Sequence, residues 1–242
     1  MITARHAVWA DWIFRQYVMW LLKHHFHAIH ILGEIPDPAP KLPLILLPNH
    51  STWWDGFFVY LLNKKLFHRK LYLMMLEEQL AKYYFFSKLG VYGMEPKSGK
   101  GVIASLRYTV SIMREAPLTS PLICVFPQGE LRPSGMRPLG YKRGIEWIIE
   151  KYSKTVNLLP LAIRCEFLDD QRPEVFFLFG ENYQVNSETF SGISWLEKEE
   201  EYLLNKLSDL IVKREIGQVL LRGAQSVSEV WDAFVRKIRL QK

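Results

Sequence analysis

A chain of 242 residues with 49% apolar and 14% aromatic residues is long enough to bury a substantial core, which excludes a disordered protein. Its formal charge of +6 suits nucleic acid or an anionic lipid surface. No helix-turn-helix, zinc-finger or aromatic RNA-binding signature accompanies that charge, so nucleic acid is not expected as a partner.

Residues 5–23 read as a helix, with Trp9, Ile13, Tyr17 and Trp20 within an arc of about 80° at helical pitch. That row fits either a helix packed on the domain or an interfacial helix with its Trp residues at headgroup level. Asp11 and Arg15 interrupt the stretch and no small-residue cleavage site follows, so it is not a secretory signal. No run of about 18 uncharged apolar residues occurs, which predicts no transmembrane helix. His24, His25, His27 and His30 come next, but without a Cys or acidic cluster beside them they read as structural rather than metal-ligating. Residues 28–32 look like a strand, and Pro36, Pro38 and Pro40 mark a linker.

An apolar run over residues 42–47 predicts a buried strand, ended by Pro48-Asn49-His50. A helix is expected over 52–62, a strand over 71–76, and a helix over 77–89 that stops at Gly90. Another helix spans 101–114, ended by Pro117. A buried strand covers 122–126, and a helix covers 144–152. Strands follow over 158–167 and 174–179. Residues 195–214 form an amphipathic helix with Leu203, Leu204, Leu207, Leu210 and Ile211 as its apolar stripe. A last helix is expected over 227–240, carrying Arg236, Lys237 and Arg239. Alternating strands and helices predict an α/β domain with a central mixed sheet flanked by helices. The expected division is an aromatic N-terminal helix over 1–26, the α/β domain over 27–190 and a helical extension over 191–242.

The chemistry concentrates in Asn49-His50-Ser51-Thr52-Trp53-Trp54-Asp55. On one helix His50 and Asp55 would stand about 140° apart. With His50 at the strand exit and Asp55 in the next helix's first turn, the loop folds them together. A carboxylate on one ring nitrogen then sets the tautomer, and the other nitrogen is open to take a proton from a hydroxyl. A second signal is Phe126-Pro127-Gln128-Gly129-Glu130-Leu131-Arg132, where a buried strand delivers a Gly turn, a carboxylate and a guanidinium into one loop. Glycine admits close backbone approach, and Arg132 has the geometry to grip phosphate bidentately.

Asn followed by His-x4-Asp, with Phe-Pro-x-Gly some 75 residues later, resembles the glycerophospholipid acyltransferase superfamily, whose best-known members are lysophosphatidate acyltransferases. Leu159-Pro160-Leu161 is similar to that family's late apolar-Pro-apolar block, and Gly140-Tyr141-Lys142-Arg143-Gly144 to its aromatic-Lys-x-Gly segment. The resemblance implies acyl transfer from acyl-CoA or acyl-carrier protein to a lipid hydroxyl. His50 would be the general base and Asp55 its orienting partner. Asn49, Gln128, Gly129, Glu130, Arg132, Lys97, Lys142 and Pro160 would contribute to substrate binding. It implies no resident cofactor or metal, membrane lipids as partners, and a peripheral place on the cytoplasmic face of a membrane.

Two positions depart from the family pattern. Its third block usually reads Phe-Pro-Glu-Gly-Thr-Arg, whereas Gln128 stands at the first acidic position and an acid follows at Glu130. Pro96 falls where the second block usually carries an Arg for the acceptor phosphate, with Lys97 and Lys100 as the nearest replacements. These departures keep open a non-phosphate acceptor, such as a glycolipid, carotenoid or amino lipid, and a non-catalytic lipid-binding protein of the same fold. Ser98-Gly99-Lys100-Gly101 lacks the spacing and the Ser or Thr of a phosphate loop, so nucleotide hydrolysis is excluded. Cys124 and Cys165 lie in apolar runs without paired spacing, which predicts inert thiols and suits a reducing compartment.

Overall fold

The computed structural model describes residues 1–115, 120–215 and 217–224. The helix stop at Pro117 and the last helix expected over 227–240, with Arg236, Lys237 and Arg239, lie outside the described residues. The first elements are α1 (Val8–His25), β1 (Ala28–Leu32), β2 (Leu44–Pro48), α2 (Asp55–Leu62), β3 (Leu71–Leu76) and α3 (Glu77–Lys82). Then come β4 (Val91–Met94), α4 (Gly99–Glu115), β5 (Leu122–Cys124), α5 (Gly144–Tyr152) and β6 (Val156–Glu166). The chain continues through β7 (Glu174–Phe179), β8 (Tyr183–Val185), α6 (Ile193–Val212) and β9 (Gln218–Arg222).

The strands form one mixed sheet in the order β4-β3-β5-β2-β6-β7-β1-β9, with β8 paired to the start of β6. The block β4-β3-β5-β2-β6 is parallel, and β7 and β9 pair antiparallel to their neighbours β6 and β1. This is the α/β architecture expected from the alternation of elements. Strand β2 reads Leu-Ile-Leu-Leu-Pro because it lies at the centre of the parallel block with both faces covered. Leu44 and Leu46 point into the layer beneath α1 and α2, and Ile45 and Leu47 into the layer beneath α4, α5 and α6.

Helix α1 carries two apolar faces rather than one. Ala10, Phe14, Val18, Leu21 and Leu22 are buried against the sheet layer, while Trp9, Trp12, Ile13, Tyr17 and Trp20 remain about half exposed or more. The row of four read from the sequence is therefore the outer face, and Val18 and Leu22 belong to the inner one. The helix expected over 77–89 is broken. Its second half is a 3-10 helix, Tyr84–Leu89, because Phe85 and Phe86 turn to pack on Phe14. Gly90, at φ 94°, closes it. Any Cβ there would strike the Leu71 carbonyl, so only glycine lets this turn approach β3.

Three short strands, β4, β8 and β9, were not expected. Strand β9 pairs with β1 and extends the sheet, within the stretch expected as a C-terminal helical extension. Helix α6 likewise buries Leu196, Leu203, Leu204, Leu207 and Ile211 in the main core, and α1 buries its inner face in the other layer.

Candidate active site

Strands β2 and β5 are neighbours, yet the helices that follow them pack on opposite faces of the sheet, α2 on one and α5 on the other. Chains leaving adjacent parallel strands toward opposite faces open a crevice at the strands' carboxyl ends. His50 follows β2 and Phe126 to Arg132 follow β5, so both motifs stand at the mouth of this crevice. The backbone joins them directly, with Arg132 N–H donating to the His50 carbonyl at 2.9 Å.

Asp55 opens α2 and is completely buried. Its Oδ2 accepts from His50 Nδ1 at 2.8 Å, Ser51 N–H at 2.8 Å and Thr52 N–H at 2.9 Å. Its Oδ1 accepts from the Thr52 hydroxyl at 2.5 Å. Four donors and the positive end of the α2 dipole satisfy this buried carboxyl group where water does not reach. The loop between the two residues closes because Asp55 gathers the N–H groups of its own turn. Proton placement on the imidazole follows from this network, with Nδ1–H facing the carboxylate.

The His50 ring lies against Phe126, with centroids 4.0 Å apart and planes 20° from parallel. An aromatic face at that distance fixes the orientation of the ring. The side chain is 23% exposed, and Nε2 has no protein hydrogen-bond partner among the described residues. Nδ1 is thus held by Asp55 while Nε2 is left open, an arrangement able to accept a proton.

The remaining sequence candidates separate into three groups. Asn49 and Gln128 are buried, each 3% exposed, and both bond to the protein's own backbone. Asn49 Nδ2 donates to the Ile163 carbonyl and its Oδ1 accepts the Ile163 N–H, clasping the end of β2 to β6. Gln128 Oε1 accepts the His50 N–H at 2.5 Å, so an uncharged acceptor here fixes the backbone of the base. Pro160 pairs with Leu47 inside the sheet and packs beside Gly180. Gly129, Glu130, Arg132 and Lys142 do gather beside the crevice. Gly129, at φ 72°, makes the turn after Phe126, and the Lys142 stem lies beside it. Lys97 lies past β4, three strand spacings from β2, or about 14 Å, so it stands away from His50.

Arg132 is not an open cation. Its Nη2 meets Glu130 Oε1 at 2.6 Å, and Nη1 donates to the Leu139 carbonyl at 3.2 Å. The guanidinium in turn holds the exposed Glu130 carboxyl below the usual carboxylate range. The thiols take no part. Burial pushes Cys124 well above its ordinary value, and Cys165 is pushed up to about 12. The four N-terminal histidines diverge. His24 contacts the Trp20 carbonyl, His25 the Trp54 ring, His27 Asp170 and His30 Glu174. Among the described residues no three metal-ligating side chains converge.

Sequence reasoning missed Thr52 and Glu200. A Thr three residues before an Asp is a signal for a local hydroxyl-carboxylate turn, so Thr52 was findable. Glu200 sits in a run of acids that looks like a solvated face.

An α/β sheet with a hydrogen-bonded His-Asp pair at its carboxyl edge is an arrangement able to support group transfer to a hydroxyl. The comparisons with known proteins specify the group. The acyltransferase family model matches residues 28–164, more than half the chain, so the protein belongs to that family and is an O-acyltransferase. Its fold is similar to the crystal structure of the 1-acyl-sn-glycerophosphate (LPA) acyltransferase PlsC from Thermotoga maritima. That match has a TM-score of 0.53 at 17% identity and covers 84% of this chain and 78% of the other. A search of curated protein sequences finds no match.

Proposed function

We propose that the protein transfers a fatty acyl group from a thioester, acyl-CoA or acyl-carrier protein, to a hydroxyl of a lysophospholipid such as 1-acylglycerol-3-phosphate. The observation that carries this reading is the His50–Asp55 pair at the crevice, in a chain of the acyltransferase family. His50 Nε2 takes the proton of the acceptor hydroxyl as that oxygen attacks the thioester carbonyl. The imidazolium so formed is stabilised by Asp55 at 2.8 Å and by the Phe126 face. Collapse of the tetrahedral intermediate breaks the C–S bond, and the imidazolium returns its proton to the departing thiolate. No acyl-enzyme and no resident cofactor enter this scheme.

The acceptor lies in a membrane, and the exposed outer face of α1 supports a peripheral place for the enzyme on the cytoplasmic side. Trp9, Trp12, Tyr17 and Trp20 form that face, with Lys88 Nζ 4.6 Å over the Trp9 ring. Arg15, Lys64 and Lys65 lie together where α1 meets the end of α2. Aromatic rings beside cations suit the interface of an anionic bilayer. Trp53, exposed and packed on Trp54 and Phe57, continues an aromatic path from this side to the His50 loop. No helix among the described residues is long and apolar enough to cross a membrane.

A second reading has its own support. The Glu130–Arg132 pair neutralises the cation best placed for an acceptor phosphate, which favours a lipid alcohol without phosphate, such as a glycolipid, carotenoid or amino lipid. The general reading is tested by acyl transfer from palmitoyl-CoA to a panel of lipid acceptors. A folded His50→Ala protein should lose about 10²–10⁴-fold in turnover with every acceptor used. Transfer at the wild-type rate by that variant refutes the mechanism.

A further inference from the structure

Helix α6 lies outside the segment matched by the family model and covers the face of the sheet opposite α1 and α2. It turns Glu197, Glu200 and Glu201 toward the site, at the spacing that puts three residues on one side of a helix. Glu197 Oε1 accepts the Gly140 N–H at 2.5 Å, and Glu201 Oε1 accepts the Leu139 N–H at 3.3 Å. The Leu139 carbonyl in turn holds Arg132, so these two acids anchor the Arg132 side of the crevice.

Glu200, between them, is completely buried and reaches further in. It faces the N–H groups of Asn49, just past the end of β2, and of Leu161, in the middle of β6. Neither of its oxygens closes a hydrogen bond of ordinary length, and the buried Tyr141 hydroxyl nearby is likewise unpaired. The charged group that acts on it is Arg137 from the loop before α5, while Glu197, Glu200 and Glu201 together act on the Tyr141 hydroxyl. Burial pushes its carboxyl up to about 8. An acid in such a place weakens the fold, and an apolar side chain of similar volume is usually neutral or stabilising there.

Its position gives it a task. The register pairs Pro48 with Leu161, and Pro48 has no N–H, so the ladder between β2 and β6 loses a donor just before the base. Asn49 restores one tie there through Ile163. The Asn49 N–H follows that break in the ladder, and the Glu200 carboxyl faces it and the Leu161 N–H across the same junction.

We propose that Glu200 is a positioning residue, its carboxyl oxygen aligning the Asn49 and Leu161 N–H groups so that His50 holds its place in the crevice. The proposal rests on His50 being the base. A mere core filler and a positioning group differ in what Glu200→Leu does. As a filler, leucine raises or keeps the melting temperature and leaves turnover alone. As a positioning group, leucine raises or keeps the melting temperature and lowers turnover.

The test measures kcat and KM for palmitoyl-CoA and 1-oleoylglycerol 3-phosphate, or 1-oleoylglycerol if the phosphate is not acylated. Wild type, Glu200→Leu, Glu200→Gln and His50→Ala are compared, each with its melting temperature and the ¹⁵N signals of the His50 ring. Glu200→Leu should fold, lose about tenfold or more in kcat with each KM within about twofold, and shift the His50 signals, since small misplacements of a base are costly. Glu200→Gln keeps an acceptor oxygen and should recover kcat to within about threefold of wild type. Wild-type kcat in Glu200→Leu overturns the proposal. So does equal loss in both variants, and so does failure of Glu200→Leu to fold, because the argument requires an apolar residue to be tolerated. Wild-type turnover in His50→Ala refutes the base itself, whereas an inactive His50→Ala beside a fully active Glu200→Leu removes only the role of Glu200.

Discussion

Replacing Asp55 by Asn separates the charge of the dyad from its geometry. Oδ2 receives three N–H donors, so an amide NH2 cannot take that place. The Asn oxygen must therefore occupy it, with the NH2 toward the Thr52 hydroxyl, which rotates from donor to acceptor. Every partner stays satisfied, Nδ1 keeps its proton, and only the negative charge is lost. A carboxylate and an imidazolium with charge centres about 4 Å apart attract by ~4 kcal/mol at an effective dielectric constant near 20. That energy acts only when the imidazolium exists, so it converts to a fall in kcat of about 10³ with little change in KM. Asp55→Ala behaves differently. It orphans the N–H groups of Ser51 and Thr52 and the His50 ring, at about 1–3 kcal/mol each, and should destabilise the protein severely. Steady-state kinetics with thermal melts distinguish the two, and ¹⁵N spectra of His50 report the tautomer. Asn turnover within threefold of wild type would show that the charge is irrelevant. A switch of the ring proton to Nε2 would show that tautomer, not charge, carries the loss.

Glu130→Gln should free Arg132 from its ion pair and raise kcat/KM for 1-acylglycerol-3-phosphate relative to the corresponding monoacylglycerol. An unchanged ratio would remove Arg132 from the acceptor site. Glu200 also links stability to pH. Its carboxyl sits at about 8 in the folded protein against an ordinary 4.5, so the native state keeps a proton that the unfolded chain gives up. Stability contributed by that proton is complete below the lower value and falls as pH rises to the upper one, by at most about 5 kcal/mol. The melting-temperature gap between Glu200→Leu and wild type should therefore widen from pH 5 to pH 8, and a constant gap would contradict the buried acid. Trp12→Ser together with Trp20→Ser should weaken flotation with phosphatidylglycerol vesicles while leaving the melting temperature near wild type, since both rings are over half exposed. Undiminished flotation would move the membrane contact away from α1.

The sequence was most readable where one residue type has one structural meaning. The unbroken apolar runs of β2 and β5 announced strands buried on both faces, and the punctuation between them announced the crossovers of a parallel sheet. Strands β4, β8 and β9 were illegible because they are three to five residues long and take their conformation from a neighbour already in place. Asn49, Gln128 and Arg132 show the limit for a site. Each is polar and lies beside His50 in sequence or space, but whether its side chain meets a ligand or the protein depends on partners 114 or 78 residues away, or on the far side of a turn. Ile163 captures Asn49, the His50 N–H captures Gln128, and Glu130 captures Arg132.

The two faces of the sheet divide the work of the site. On one side, α1 and α2 bring aromatic side chains, exposed at Trp12 and Trp53, up to the loop that holds His50 and Asp55. On the other, α6 brings Glu197 and Glu201, which hold the Gly140 and Leu139 N–H groups, and the buried Glu200 between them. A lipid acceptor reaching the base from the bilayer meets only the first side. A base positioned by α6 is thus independent of how deeply the aromatic face enters the lipid. Changes on α1 should alter how often substrate arrives, and changes on α6 should alter how fast it reacts once there. That difference follows from the topological switch between β2 and β5, which sends the two following helices to opposite faces and leaves the reacting groups between them.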